Sequence, residues 1–140
     1  MKTLFKLKIV KSLSMRKTDI IFYWISTGIL CLMMILSASM YIFNTEEIAE
    51  VFVRLGYPTY ILYPLATAKI LGVSVILINK SDFLKYLAYA GFFFNTTLAF
   101  FAHYMVNDGE QGGATIAMLA VGLSYIYDRK IAKHKAKTSS

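Results

Sequence analysis

Four apolar runs, separated by short charged segments, decide most of what this chain can become. They are Ile20–Phe43, Thr59–Ile78, Phe83–Val106 and Gly113–Tyr127. A helix that crosses a bilayer needs about 20 apolar residues. The first and third runs have 24 and the second has 20, interrupted only by Lys69. The fourth has 15 and needs snorkelling ends or local thinning of the bilayer, for which Tyr125, Tyr127, Arg129 and Lys130 are suitable anchors. Composition agrees with this reading. The chain is 57% apolar and only 16% charged, whereas a soluble domain is nearer 45–50% and about 25%, and its mean hydropathy is +0.55. The expectation is an all-α membrane protein, a four-transmembrane-helix bundle, in preference to three spans. Residues 1–15 form a basic leader, 16–130 the membrane domain and 131–140 a basic tail.

The hydrophilic segments alternate in charge. Lys2, Lys6, Lys8, Lys11, Arg16 and Lys17 precede the first run, Lys80 and Lys85 flank the second loop, and Arg129, Lys130, Lys133, Lys135 and Lys137 follow the last run. The other two loops carry Glu46, Glu47, Glu50, Asp108 and Glu110 against a single Arg54. The positive-inside rule then places both termini in the cytoplasm. The net charge of +7 is explained by a basic rim facing anionic lipid. No aromatic-interleaved basic motif points to nucleic acid.

The first run could instead be a secretory signal, since a basic leader precedes it and Ser37-Ala38-Ser39 resembles a cleavage triplet. The 17 apolar residues before the triplet exceed the usual 7–15, and cleavage would leave an odd number of spans. Within the leader, Leu4, Phe5, Leu7, Ile9, Val10 and Leu13 interleave with lysines, which suits an interfacial helix. Met15 offers a second start, and the favoured expectation is that the leader is dispensable.

Periodicity gives the helix faces. At 100° per residue Ala88, Gly91, Asn95, Ala99 and Ala102 share one side of the third run, with His103 beside them and Phe93, Phe94, Phe100, Phe101 and Tyr104 opposite. Small residues allow close helix contact in lipid, so the first set is expected inside. Ala114, Ala117, Val121 and Ser124 make a similar stripe, and Ala68 and Gly72 stand at small-xxx-small spacing. The short hairpin 79–82 requires its two runs to be antiparallel neighbours.

Several segments, taken in order, resemble the DoxX-like family of small four-helix bacterial membrane proteins. They are Leu55-Gly56-Tyr57-Pro58, Ala68-Lys69-Ile70-Leu71-Gly72, Lys85-Tyr86-Leu87-Ala88-Tyr89-Ala90-Gly91-Phe92, and His103. The resemblance covers roughly residues 16–130 and implies a four-helix bundle in the bacterial cytoplasmic (inner) membrane. It also implies a possible association with membrane oxidoreductases, because the family takes its name from a subunit linked to thiosulfate–quinone oxidation. Related sequences often carry an acid before the Ala-Tyr-Ala-Gly segment; here that place is taken by Lys85-Tyr86, so a role for that acid does not transfer.

Some chemistry is excluded. Cys31 is the single cysteine, so no dithiol can form within one chain. His103 and His134 lie near opposite faces, which rules against haem or cluster ligation. No phosphate-binding loop or metal-ligand spacing occurs, and no cofactor is predicted. Three intramembrane polar residues remain as a candidate site: Lys69, Asn95 and His103. A lone ammonium at mid-membrane costs at least ~2.5–3.5 kcal/mol, so Lys69 must face protein, water or an anionic group. One reading is structural: Lys69 is solvated by carbonyls, Asn95 and tyrosines in a bundle without catalytic activity that supports a membrane partner or its own oligomer. The other is a cavity open to the outer side, rimmed by Glu46, Glu47 and Glu50, where Lys69, Asn95 and His103 bind a quinone or a small anion.

Overall fold

The computed structural model describes residues 1–138, apart from the side chains of residues 10–16 and 138. Five α-helices follow one another: α1 (Lys2–Phe43), α2 (Thr45–Arg54), α3 (Leu62–Ile78), α4 (Asp82–Val106) and α5 (Gln111–Thr138). A single 3₁₀ turn, Thr59–Ile61, leads into α3. No strand occurs among the described residues, so the chain is all-α. Each apolar run lies in a helical segment, but α1 begins at Lys2, 18 residues before the first run, and α5 continues 11 residues past the fourth. The second run is reproduced as the 3₁₀ turn plus α3, and the third begins one residue earlier, at Asp82.

Local signals place the breaks. The α2 helix carries Glu46 and Glu47 in its first turn and Arg54 in its last, matching the helix dipole. It stops in a Schellman arrangement: the Tyr57 N–H donates to the Phe52 carbonyl (2.8 Å), the Gly56 N–H to that of Val53 (3.0 Å), and Gly56 takes φ +80°. Ser81 caps α4, its hydroxyl accepting from the Leu84 N–H at 3.4 Å. Both α3 and α4 end on an asparagine in the left-handed region, Asn79 and Asn107, each with φ 53°. Pro64 falls in the first turn of α3, where its missing donor is tolerated.

The four long helices pack in a ring in which α1 and α4 each lie against both α3 and α5. At its centre Leu30, Cys31 and Met34 of α1 meet Val73 and Ile76 of α3, Tyr89 and Phe92 of α4, and Ala117, Ala120 and Val121 of α5. A second apolar cluster, Ile48, Phe52 and Leu62, fastens α2 across one end of the ring. That acidic segment was expected to be a loop. It folds because Ile48 and Phe52, four residues apart, form an apolar stripe that the ring buries.

Outside this apolar centre the distribution differs from that of a water-soluble bundle. Ser26, Thr27, Lys69, Lys85, Thr96, Ser124 and Asp128 are buried, while Ile21, Trp24, Leu32, Leu71, Phe94, Phe101, Leu119 and Leu123 are exposed. Residues 17–43 and 59–78 are long and apolar enough to cross a membrane. The α4 and α5 helices are long but more polar, α4 through Lys85, Asn95, Thr96, Thr97 and His103 and α5 through its basic end.

Two expectations about faces and one about length change. In α4 the buried residues are Lys85, Tyr89, Phe92, Thr96 and Ala102, and Gly91 is exposed. The inward side is rotated because Gly72 of α3 makes room for the Phe92 ring: a Cβ on Gly72 would lie 2.6 Å from Phe92 Cζ. In α3 the inward side is Ala66, Lys69, Gly72, Val73 and Ile76, and Ala68 points away. The α5 helix runs past Tyr127 through the segment expected as a tail, as far as Thr138. Its stripe of Ala117, Val121 and Ser124 is buried as expected.

Candidate functional site

At the end of the ring that carries α2, a cavity of about 1030 Å³ opens between α1, α2, α3 and α4. Ser37 and Tyr41 enter it from α1, one helical turn apart. Asn95, Ala99 and His103 enter it from α4 at successive four-residue steps, forming one line of side chains about 12 Å long. Glu47, Glu50 and Arg54 of α2 and Glu110 of the α4–α5 turn form its mouth, and the remaining wall is mostly apolar.

Two of the three predicted site residues, Asn95 and His103, therefore share this cavity. Lys69 lies behind its wall and is 4% exposed. The ammonium donates to Ser37 Oγ at 2.7 Å and stands 4.0 Å from the centroid of the Tyr41 ring. Its hydrogen-bond partner is thus Ser37, not Asn95. Among the described residues no carboxylate pairs with it. A hydroxyl and an aromatic face are modest partners for a buried cation, and both belong to side chains that also line the cavity.

At the mouth, His103 Nδ1 lies 2.8 Å from Asp108 Oδ2, and Asp108 Oδ1 accepts the Glu110 N–H at 3.0 Å. Arg54 approaches the same carboxylate at 4.0 Å. The Glu110 N–H first, and His103 second, hold the Asp108 carboxyl below the usual carboxylate range. A folded-state value below the unfolded one means that this contribution is complete above the ordinary carboxylate range and is lost as pH falls from that range down through the lower folded value. Acidification should therefore lower the melting temperature of the wild type more than that of Asp108→Asn, measured in detergent across that range. Equal losses in both would show that the turn does not depend on this charge. His103, Asp108 and Glu110 each offer a ligand atom within 4.8 Å of the others. A cation there would compete with the His103–Asp108 contact and with the Arg54 guanidinium near the same carboxylate.

A second polar group lies at the opposite end, by the hairpin. Lys85, 2% exposed, donates to both Asp128 Oδ1 and Asn79 Oδ1, the latter at 2.9 Å, and lies 5.6 Å from the Tyr23 ring centroid. Next to it Ser124 Oγ bonds Thr27 Oγ1 (2.6 Å) and Tyr89 Oη (2.8 Å), tying α1, α4 and α5 together. Sequence reasoning took Lys85 as a loop charge. The available signal was that Lys85 continues the spacing of Tyr89, Phe92 and Thr96, and Asp128 that of Ser124, Val121 and Ala117. Farther out, Arg129 lies over the Tyr86 ring at 4.4 Å and Lys130 over the Tyr127 ring at 4.9 Å.

The model of the DoxX-like family matches residues 25–125, which span the ring from α1 to α5 and contain Lys69, Asn95 and His103. The chain belongs to the DoxX-like family. With helices at 17–43 and 59–78 apolar enough to cross a bilayer, it is a DoxX-like membrane protein. No curated protein and no solved structure matches it. Of the two buried lysines, both lie inside the DoxX-like match, whereas Asp128 falls just beyond it.

Proposed function

We propose that this DoxX-like protein crosses the bacterial cytoplasmic membrane four times with both termini in the cytoplasm, and that it acts as a binding module without catalysis of its own. The cavity at the α2 end then faces outward and takes a small amphiphilic molecule. Charge alternation supports the orientation: the acidic α2 and α4–α5 segments share one end of the ring, and the hairpin with Lys80 and the basic end of α5 share the other. Exposed leucines and phenylalanines on the four long helices support a lipid-facing surface.

The observation that carries the binding reading is the 1030 Å³ cavity containing Asn95 and His103. Its volume is at the top of the range of small-molecule sites, which run from about 300 to 1,000 Å³. Its walls are apolar with a few convergent polar groups, as such sites require. Of the ligands expected from the sequence, a free anion fits less well, because Glu47, Glu50 and Glu110 stand at the entrance and Lys69 is behind the wall. A quinone is uncharged and could accept from the Asn95 amide. In that arrangement Lys69 shapes the wall by holding Ser37 and Tyr41.

Reporter fusions after Ser140 and within 107–112 test the topology, and should give opposite sidedness. Fusions that report one compartment would end the four-span reading. Purification in mild detergent, with mass spectrometry of co-purifying lipids, quinones and proteins, tests the binding. Ala99→Trp, which projects an indole into the cavity from the line of Asn95 and His103, should weaken retention of the bound molecule and reduce the thermal stabilisation that it confers by mass action. Lys69→Met should melt at or above the wild-type temperature, since it removes a buried charge at similar volume, and should weaken retention of the molecule. An Ala99→Trp protein with the wild-type complement of small molecules would sink the binding reading.

A further inference from the structure

We infer that the ligand of the outer cavity is an amphiphilic organic cation, an ammonium or related onium group carrying an apolar body. The inference rests on the cavity being a binding site and names the class of molecule it selects. The groups facing the cavity can be taken element by element. The α1 helix offers Ser37 and Tyr41, neither charged at neutral pH; α2 offers Glu47, Glu50 and Arg54; the α4–α5 turn offers Glu110. On α4, Asn95 is neutral and His103 is engaged with Asp108. Three carboxylates thus oppose one guanidinium, and that guanidinium leans toward Asp108 at 4.0 Å. Lys69 adds a second positive charge behind the wall, and with Arg54 it leaves the balance at the cavity negative, three carboxylates against two cations.

The aromatic lining points the same way. Tyr41, Phe52 and Tyr57 all line the cavity and form one chain of rings, with centroids 5.4 and 6.1 Å apart. Ring faces attract cations, and more strongly where water is excluded. The Tyr41 ring already carries the Lys69 ammonium, so Phe52 and Tyr57 are the rings left to receive a ligand cation. Carboxylates at the mouth and rings within would hold the charged group, while Met33, Leu36 and Leu98 would hold the apolar body. A neutral molecule gains nothing from the carboxylates, and an anion is repelled by them.

The test is equilibrium dialysis of the full chain in nanodiscs of a zwitterionic lipid, with empty nanodiscs subtracted. Three probes are compared: tetraphenylphosphonium, the size-matched anion tetraphenylborate, and a short-chain neutral quinone. Tetraphenylphosphonium should be retained in preference to the other two, and its retention should fall as salt is raised. A unit charge 4 Å away in water is worth about fivefold in affinity, so Glu47→Gln and Glu50→Gln should each weaken binding by up to about that factor. Both residues are exposed on α2, so Glu50→Gln should melt like the wild type and Glu47→Gln slightly below it, since Glu47 lies in the first turn of the helix. Preference for the quinone or the anion would overturn the inference and leave the binding reading standing. Phosphonium uptake indifferent to salt, to both variants and to Ala99→Trp would mark partition into the bilayer and overturn it too. Retention of none of the probes, together with a wild-type complement of small molecules in Ala99→Trp, would end both.

Discussion

Lys85→Met should destabilise the protein by about 3–5 kcal/mol, the cost of leaving one member of a buried ion pair without the other. Lys85 is 2% exposed and its ammonium is held by Asp128 and Asn79. Removing it strands the Asp128 carboxylate between α4 and α5 or forces it to take a proton. Asp128→Leu should do comparable harm, by leaving the ammonium with Asn79 alone. The double variant Lys85→Met/Asp128→Leu should recover most of the loss, because a well-packed apolar pair can replace a buried ionic one at little cost. Unfolding in detergent of the wild type, both single variants and the double variant closes the cycle. A double variant whose loss equals the two single losses added together would show that the two residues are not coupled.

Gly72→Leu should cost about 3 kcal/mol, the upper part of the range for overpacked cores. A single Cβ at this position already lies 2.6 Å from Phe92 Cζ, and Phe92 is itself only 4% exposed among the central apolar residues. The ring can yield slightly to a methyl group but has no room for an isobutyl group. Gly72→Ala should therefore be nearly neutral, since the helix gains about 1 kcal/mol on losing a glycine and that offsets a small ring movement. Phe92→Ala should rescue Gly72→Leu in part by vacating the space that leucine needs. Thermal unfolding of the three variants decides it: a Gly72→Leu protein as stable as Gly72→Ala would mean that α3 and α4 do not pack through this contact.

The positions of the long helices were legible because hydropathy adds up over twenty residues. The run 59–78 was read with its structural limits, and the run 83–106 to within one residue. The sides they turn inward were less legible, since a face depends on what stands opposite. Gly91 and Ala88 looked like the contact side of α4, yet the partner supplies a vacancy at Gly72 and the large Phe92 turns inward to fill it. The α2 helix was hidden by its glutamates, which fit a topology loop as well as they fit the outer face of an amphipathic helix. Of the candidate site, Asn95 and His103 were found on one side of α4, but the partner of Lys69 was misjudged. Ser37 lies 32 residues away on another helix, and nothing local marks it. Lys85 was missed for a related reason. A lysine near a helix end satisfies the orientation rule whether or not a carboxylate is waiting for it.

The pairing of Lys85 with Asp128 also imposes an order on biosynthesis. The two are separated by 43 residues, which a ribosome making about 5–20 residues per second takes roughly 2–9 s to traverse. During that interval α4 has emerged with a cation whose counter-ion does not yet exist. Asn79, already made, can hold one of its protons but cannot neutralise it. In the four-span topology proposed above, the nascent hairpin of α3 and α4 would wait with Lys85 at the headgroup level until the last helix arrives to seat it. Completion of the chain is in this way the event that closes the ring, and a polypeptide ending before Asp128 presents an unpaired lysine to whatever surveys the membrane for unfinished proteins.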